Sequence, residues 1–218
     1  MKIREHDTLL FIGDSITETG RDETGEPTPW NRNTGLGQGY VELFNAIFAN
    51  EHPSCRIRVI NRGIGGNTVR NLEDRWTQDV LNLKPQWLFV SIGINDVWRQ
   101  FDSPMKTDEH IDASVFKSTY QRIIKKARET PELKGIYLLA PFLLEKDPTD
   151  PFLNRMNEYG RIVQDIAAEN DARFIDCQAE MDKLMTYQHP CEIAWDRIHI
   201  NATGHYALAR SVMNALNL

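Results

Sequence analysis

Two widely separated segments carry residue types that together do acyl-transfer chemistry. Leu9 to Ile12 is an apolar run followed by Gly13, Asp14 and Ser15. Such a run fits a strand buried on both faces, and the glycine ends it. Ser15 then falls where the strand runs out at its C-terminal end, the rim at which open parallel sheets bind ligands. A serine held there by a rigid element has the fixity and exposure that a nucleophile needs. Far downstream, Asp196 and His199 are spaced i and i+3. In a turn, that spacing lets the carboxylate accept from one ring nitrogen while the other faces outward. A base so oriented takes a proton from a serine hydroxyl and returns it to a leaving group.

Two further strand exits complete the constellation. Gly65, Gly66 and Asn67 offer backbone N–H groups with no side chain in the way, and Asn95 offers a neutral amide donor. With the N–H of Ser15 they have the makings of an oxyanion hole. Each feature alone is equally a polar turn or a helix entry; their coincidence argues for a site. Asp14 is expected to fix its turn by hydrogen bonding, and Asp96 to hold the Asn95 loop. His205 reads as a packed or helix-terminal histidine, and Arg99 either contacts substrate or is solvated.

The elements that must position these groups alternate. Strands are expected at Leu9–Ile12, Ile57–Ile60, Trp87–Ile92, Gly135–Ala140 and Arg173–Asp176. Between them, apolar residues recur at helical spacing: Tyr40, Leu43, Phe44, Ile47 and Phe48; Val69, Leu72, Trp76 and Val80, with Thr68 as cap; Phe116, Tyr120, Ile123, Ile124 and Ala127; Met156, Tyr159, Val163 and Ile166. Helices around Ala179–Met185 and through Leu208 to Leu216 follow. The long polar stretch Arg21 to Gly39 and the charged stretch Arg99 to Asp112 read as irregular. This order implies βαβ units, a parallel sheet with helices on both faces, and one domain over 1–218.

Composition narrows the classes. At 41% hydrophobic and 26% charged over 218 residues, the chain has the makings of an ordinary soluble α/β protein. A formal charge of −6, without a Lys/Arg cluster, argues against a nucleic-acid partner. No run approaches membrane-spanning length and no signal peptide is evident, so a cytoplasmic location is expected. Cys55, Cys177 and Cys191 are odd in number and lack a C-x-x-C pair, reading as reduced thiols without disulfide or zinc. No cofactor and no metal are called for, and a homo-oligomer is left open.

Taken together, Gly13-Asp14-Ser15, Gly66, Gly93-x-Asn95-Asp96 and Asp196-x-x-His199 resemble the four motif blocks of the SGNH hydrolases, or GDSL esterase family. The blocks occur in the family's order, with Ile16 standing where the family name has leucine. The resemblance implies a three-layer, flavodoxin-like α/β/α fold with a five-stranded parallel sheet. It implies Ser15 as nucleophile, Gly66 and Asn95 as oxyanion donors beside Ser15, and Asp196 and His199 as the rest of a triad. Longer strings, among them Asn61 to Arg70 and Ala194 to His199, look like the bacterial acetyl xylan esterases of that family. The implied substrate is a small acetylated saccharide, for which the loop residues Trp30, Trp98, Arg99, Tyr187 and Trp195 are candidate contacts. Three alternatives stay open: a thioesterase or lysophospholipase of the same family; a metal-dependent phosphoesterase using Asp14, Asp96, Asp196 and His199; and a non-enzymatic carbohydrate-binding protein.

Overall fold

The computed structural model describes residues 3–22 and 35–216; Trp30 lies outside the described residues. The described strands are β1 (Thr8–Gly13), β2 (Arg58–Gly63), β3 (Trp87–Ser91), β4 (Gly135–Leu139) and β5 (Arg173–Ile175). They form one sheet in the order β2-β1-β3-β4-β5, with every neighbouring pair parallel. Leu9 to Ile12 of β1 are fully buried, as an apolar run covered on both faces requires. Phe11, Phe89 and Tyr137 stack across β1, β3 and β4 with centroids 4.3 and 4.7 Å apart.

The helices are α1 (Ser15–Glu18), α2 (Tyr40–Glu51), α3 (Val69–Asp79), α4 (Ile94–Asp102), α5 (Ala113–Arg128), α6 (Pro151–Glu169), α7 (Cys177–Met185), α8 (Pro190–Ile193) and α9 (Ala202–Ala215). Two groups cover the sheet: α2 and α7 pack on α9, while α5 bridges α3 and α6 and α4 joins α6. The result is the three-layer α/β architecture implied by the motif blocks. Its order reverses between β1 and β3, because the chain first crosses from β1 to β2 and then returns to the other side. That reversal opens a crevice at the C-terminal ends of those strands. Register aligns them: Gly13 pairs with Gly63 on one side and Ser91 on the other.

Two differences from the sequence reading bear on the site. β2 continues through Asn61 to Gly63 instead of ending at Ile60. Asn61 is buried, yet its amide donates to the Thr17 and Leu36 carbonyls at 2.6 and 2.8 Å and accepts from Gly63 N at 2.8 Å. A satisfied polar side chain is tolerated inside a strand. More consequentially, α4 occupies residues expected to be a turn and the start of an irregular segment. Gly93, at φ +128°, makes the turn. Ile94, Val97, Trp98 and Phe101 then recur at helical spacing, and Phe101 stacks on Phe152 of α6 at 4.8 Å. Asn95 and Trp98 therefore ride on a helix and not on a loop.

Candidate active site

Ser15 is the first residue of α1, and the turn leading to it permits little substitution. A Cβ on Gly13 would lie 2.2 Å from the Ser91 carbonyl oxygen. Asp14 caps α1, its Oδ1 accepting from Ile16 N at 3.0 Å, which is the turn-fixing role expected of it. Being a first-turn residue, Ser15 has a backbone N–H with no partner inside its own helix.

The histidine arrives from the segment between α8 and α9. His199 Nε2 lies 2.9 Å from Ser15 Oγ, and His199 Nδ1 lies 2.5 Å from Asp196 Oδ2. The other Asp196 oxygen accepts from the N–H groups of Ile198 and His199 at 3.0 and 2.8 Å. Partial burial pushes the Asp196 carboxyl up, but these bonds outweigh it and hold the group below the usual carboxylate range. An ionised Asp196 fixes the imidazole with Nδ1 as donor and leaves Nε2 to accept from the serine. Between them Arg197 adopts φ +69°. Its guanidinium pairs with Glu145 at 2.6 Å and Asp150 at 3.0 Å, and its carbonyl accepts from Leu144 N at 2.9 Å. These contacts hold a backbone conformation that side-chain-bearing residues rarely adopt.

The donor side comes from the exits of β2 and β3. Gly66 has φ +76°, and a Cβ built on it meets no atom within 4 Å. Within the protein itself, the preference for glycine is therefore conformational. Asn95, buried in the first turn of α4, donates one amide N–H to the Asn67 carbonyl at 3.0 Å. That bond leaves its second amide N–H to donate elsewhere. Asp96 does more than shape its own turn: its carboxylate accepts from Val69 N at 3.0 and 3.3 Å, tying α4 to the start of α3.

Burial pushes the Asp14 and Asp96 carboxyls each up to about 7. His205 is packed in the first turn of α9, where Nδ1 accepts from Tyr40 N at 3.2 Å. Burial, with a smaller push from His199, lowers it to about 4, so it stays neutral as an acceptor. Among the described residues, no three His, Cys, Asp or Glu side chains gather into a metal-holding group.

The aromatic candidates divide. Trp98 meets the His199 ring edge-on at 5.9 Å, and the Arg99 guanidinium lies 5.0 Å over the Trp98 face. Arg99 also pairs with Asp102. Trp195, directly before Asp196, is 81% exposed. Tyr187 follows α7 and is 91% exposed, with no ring contact or side-chain hydrogen bond to the serine–histidine pair. The sequence reading also gave Arg75 no role. Arg75 of α3 donates to the Gly13 carbonyl (3.0 Å), the Arg62 carbonyl (2.8 Å) and Asn67 Oδ1 (2.8 Å), linking the ends of β1 and β2. Its place on the polar flank of an amphipathic helix gave no local signal.

Residues 11–207 match the model of the GDSL-like lipase/acylhydrolase family. The chain is 40% identical over 216 residues to an acetylxylan esterase of Geobacillus stearothermophilus, covering 99% of this chain and 96% of that one. A crystal structure of that bacterium's acetylxylan esterase superposes with a TM-score of 0.94 at 39% identity, covering 100% of this chain and 97% of the other. A variant of it is described as an acetyl-xylooligosaccharide esterase, and three others as catalytic mutants in which a serine, an aspartate or a histidine is replaced by alanine. An α/β hydrolase from the metagenome of Lake Arreo, Spain, superposes at 0.92 with 39% identity over 98% of this chain and 96% of that one.

Proposed function

The chain belongs to the GDSL-like lipase/acylhydrolase family, and on that premise we propose that it is a serine esterase removing acetyl groups from acetylated xylo-oligosaccharides. Ser15 is the nucleophile, His199 the general base and then acid, and Asp196 the group that orients it. Attack by Ser15 Oγ on the acetyl carbonyl forms a tetrahedral oxyanion, and its proton passes to His199 Nε2. The N–H groups of Ser15 and Gly66 and the Asn95 amide receive the oxyanion. Collapse releases the sugar alkoxide, protonated by His199, and leaves an acetyl-enzyme that water hydrolyses by the reverse sequence.

The observation carrying this reading is the continuous chain from Ser15 Oγ through His199 to Asp196, at 2.9 and 2.5 Å. Trp98, lying against His199, and the exposed Trp195 supply aromatic faces for sugar rings. Three free cysteines fit a reducing cytoplasm, where short oligosaccharides are the accessible substrate. Among the described residues no helix is long and apolar enough to cross a membrane.

A panel of acyl esters of graded chain length tests the assignment. An apolar acyl groove would add about 0.8 kcal/mol of binding per buried methylene. Here kcat/KM is expected to fall steeply beyond acetyl or propionyl, with Ser15 labelled by an organophosphate. A chain-length optimum at octanoyl would instead make the enzyme a thioesterase or lysophospholipase. Failure to label Ser15, with an active Ser15→Ala variant, would refute the nucleophile.

A further inference from the structure

Glu18 closes the one-turn helix that Ser15 opens, so the i, i+3 spacing puts both side chains on one face of α1. A Cβ built on Gly65 would lie 3.1 Å from Glu18 Oε2 and 3.9 Å from Ser15 Cβ. A methyl group at that point would touch both the Glu18 carboxylate and the Ser15 side chain. A side chain at position 65 would crowd that carboxylate, which would have to give by a few tenths of an ångström. Next to it, the Cβ direction of Gly66 opens onto space free of protein atoms within 4 Å.

Glu18 is half-buried, yet its carboxylate has no hydrogen-bond or ion-pair partner among the described residues. Of the polar side chains around it, Thr17 Oγ1 meets Tyr40 Oη at 3.1 Å and Thr19 Oγ1 bonds back to the Ser15 and Ile16 carbonyls, while Asp14 caps the helix through Oδ1 and has its Oδ2 buried without a partner. A carboxylate that has lost part of its hydration without gaining a donor recovers that loss when a ligand supplies one. An acetylated sugar carries donors beside the reacting ester, in the free hydroxyls of the neighbouring ring carbons. An alkyl or aryl acetate carries none.

We infer that Glu18 is a specificity-determining residue, accepting a hydrogen bond from the free hydroxyl vicinal to the acetyl group. This inference rests on the carbohydrate-esterase reading above. Charge-assisted bonds of this kind are worth roughly 10- to 100-fold in discrimination. The negative charge also disfavours acetyl esters that bear an anionic group next to the ester.

The test pairs a protein change with a substrate change, using methyl 2-O-acetyl-β-xyloside, its 3-deoxy analogue and p-nitrophenyl acetate. In the wild type, removing the 3-hydroxyl is expected to lower kcat/KM by about 10- to 100-fold. In Glu18→Ala that penalty should shrink to within about threefold, and the ratio of xyloside to p-nitrophenyl acetate turnover should fall by about tenfold or more. Glu18→Gln keeps the size and one acceptor, guards against a folding defect, and should recover part of the ratio. Equal losses on all three esters, or an undiminished 3-hydroxyl penalty in Glu18→Ala, would overturn the inference while sparing the sugar reading. Wild-type enzyme that turns over the xyloside no better than its 3-deoxy analogue and prefers long acyl chains would overturn both.

Discussion

Asn95 separates transition-state stabilisation from ground-state binding most sharply. Its amide is held by one bond to the Asn67 carbonyl at 3.0 Å and by burial in the first turn of α4. Under the proposed mechanism the second N–H strengthens its bond as negative charge develops on the acetyl oxygen. Asn95→Ala removes that donor, and losing one oxyanion-hole donor costs about 2.7–4 kcal/mol, or about 10²–10³ in kcat. The same change strips the Asn67 carbonyl of a donor. That costs about 1 kcal/mol of stability, lowering Tm by roughly 2–4 °C in a chain of this size. Against a typical reserve of about 5–15 kcal/mol, the variant stays folded, so its kinetic loss is not an unfolding artefact. Steady-state kinetics on p-nitrophenyl acetate beside a thermal melt should show kcat down and KM nearly unchanged. A normal kcat with a raised KM would make Asn95 a ground-state binder and refute the reasoning.

Two other perturbations probe the frame beneath the site. Arg75→Met deletes the donors to Gly13, Arg62 and Asn67 and removes the nearer partner of Asp79, at 2.8 Å, leaving it Arg62 at 3.8 Å. Losing the hydrogen bonds of this mostly buried guanidinium costs about 1.5–3 kcal/mol, so Tm should drop by roughly 3–12 °C; a shift under about 2 °C in the melt would show that the network is idle. Asp14 tests the pH dependence: burial raises its folded pKa to about 7, above the ordinary 3.8. Between those values the folded state binds more protons than the unfolded one, so this group makes stability fall as pH rises from about 4 to 7. Asp14→Asn, which keeps the capping oxygen, should flatten that decline in denaturant titrations at pH 5 and pH 8, and unchanged parallel profiles would contradict the assignment.

The parts of the site that were legible in the sequence are those that local rules decide. An apolar run closed by glycine placed Ser15 at a strand end, and Asp196 and His199 formed a local pair that their spacing made readable. The sheet followed because buried parallel strands and amphipathic helices announce themselves by period. α4 was also written locally, in Ile94, Val97, Trp98 and Phe101, but Gly93 and the charged residues beyond Trp98 masked the pattern as a turn. Asn61 and Arg75 were not legible at all. Each looks like a solvated polar residue until tertiary structure supplies the carbonyls that satisfy it.

The chemical groups arrive on segments that each fold by short-range rules, while their mutual placement depends on long-range polar contacts. Asp96 ties α4 to α3, Arg75 ties the exit of β1 to that of β2, and Arg197 anchors the Asp196–His199 turn to Glu145 and Asp150. None of the three anchoring side chains touches the Ser15 hydroxyl. Displacing a catalytic group by about 1 Å can nonetheless cost about 10²-fold in rate, because reacting atoms must be held near attack distance. Around α1 the polar atoms divide: Thr17 and Thr19 spend theirs inside the protein, Asp14 caps the helix with Oδ1 while its buried Oδ2 has no partner, and Glu18 keeps its own for whatever enters the crevice.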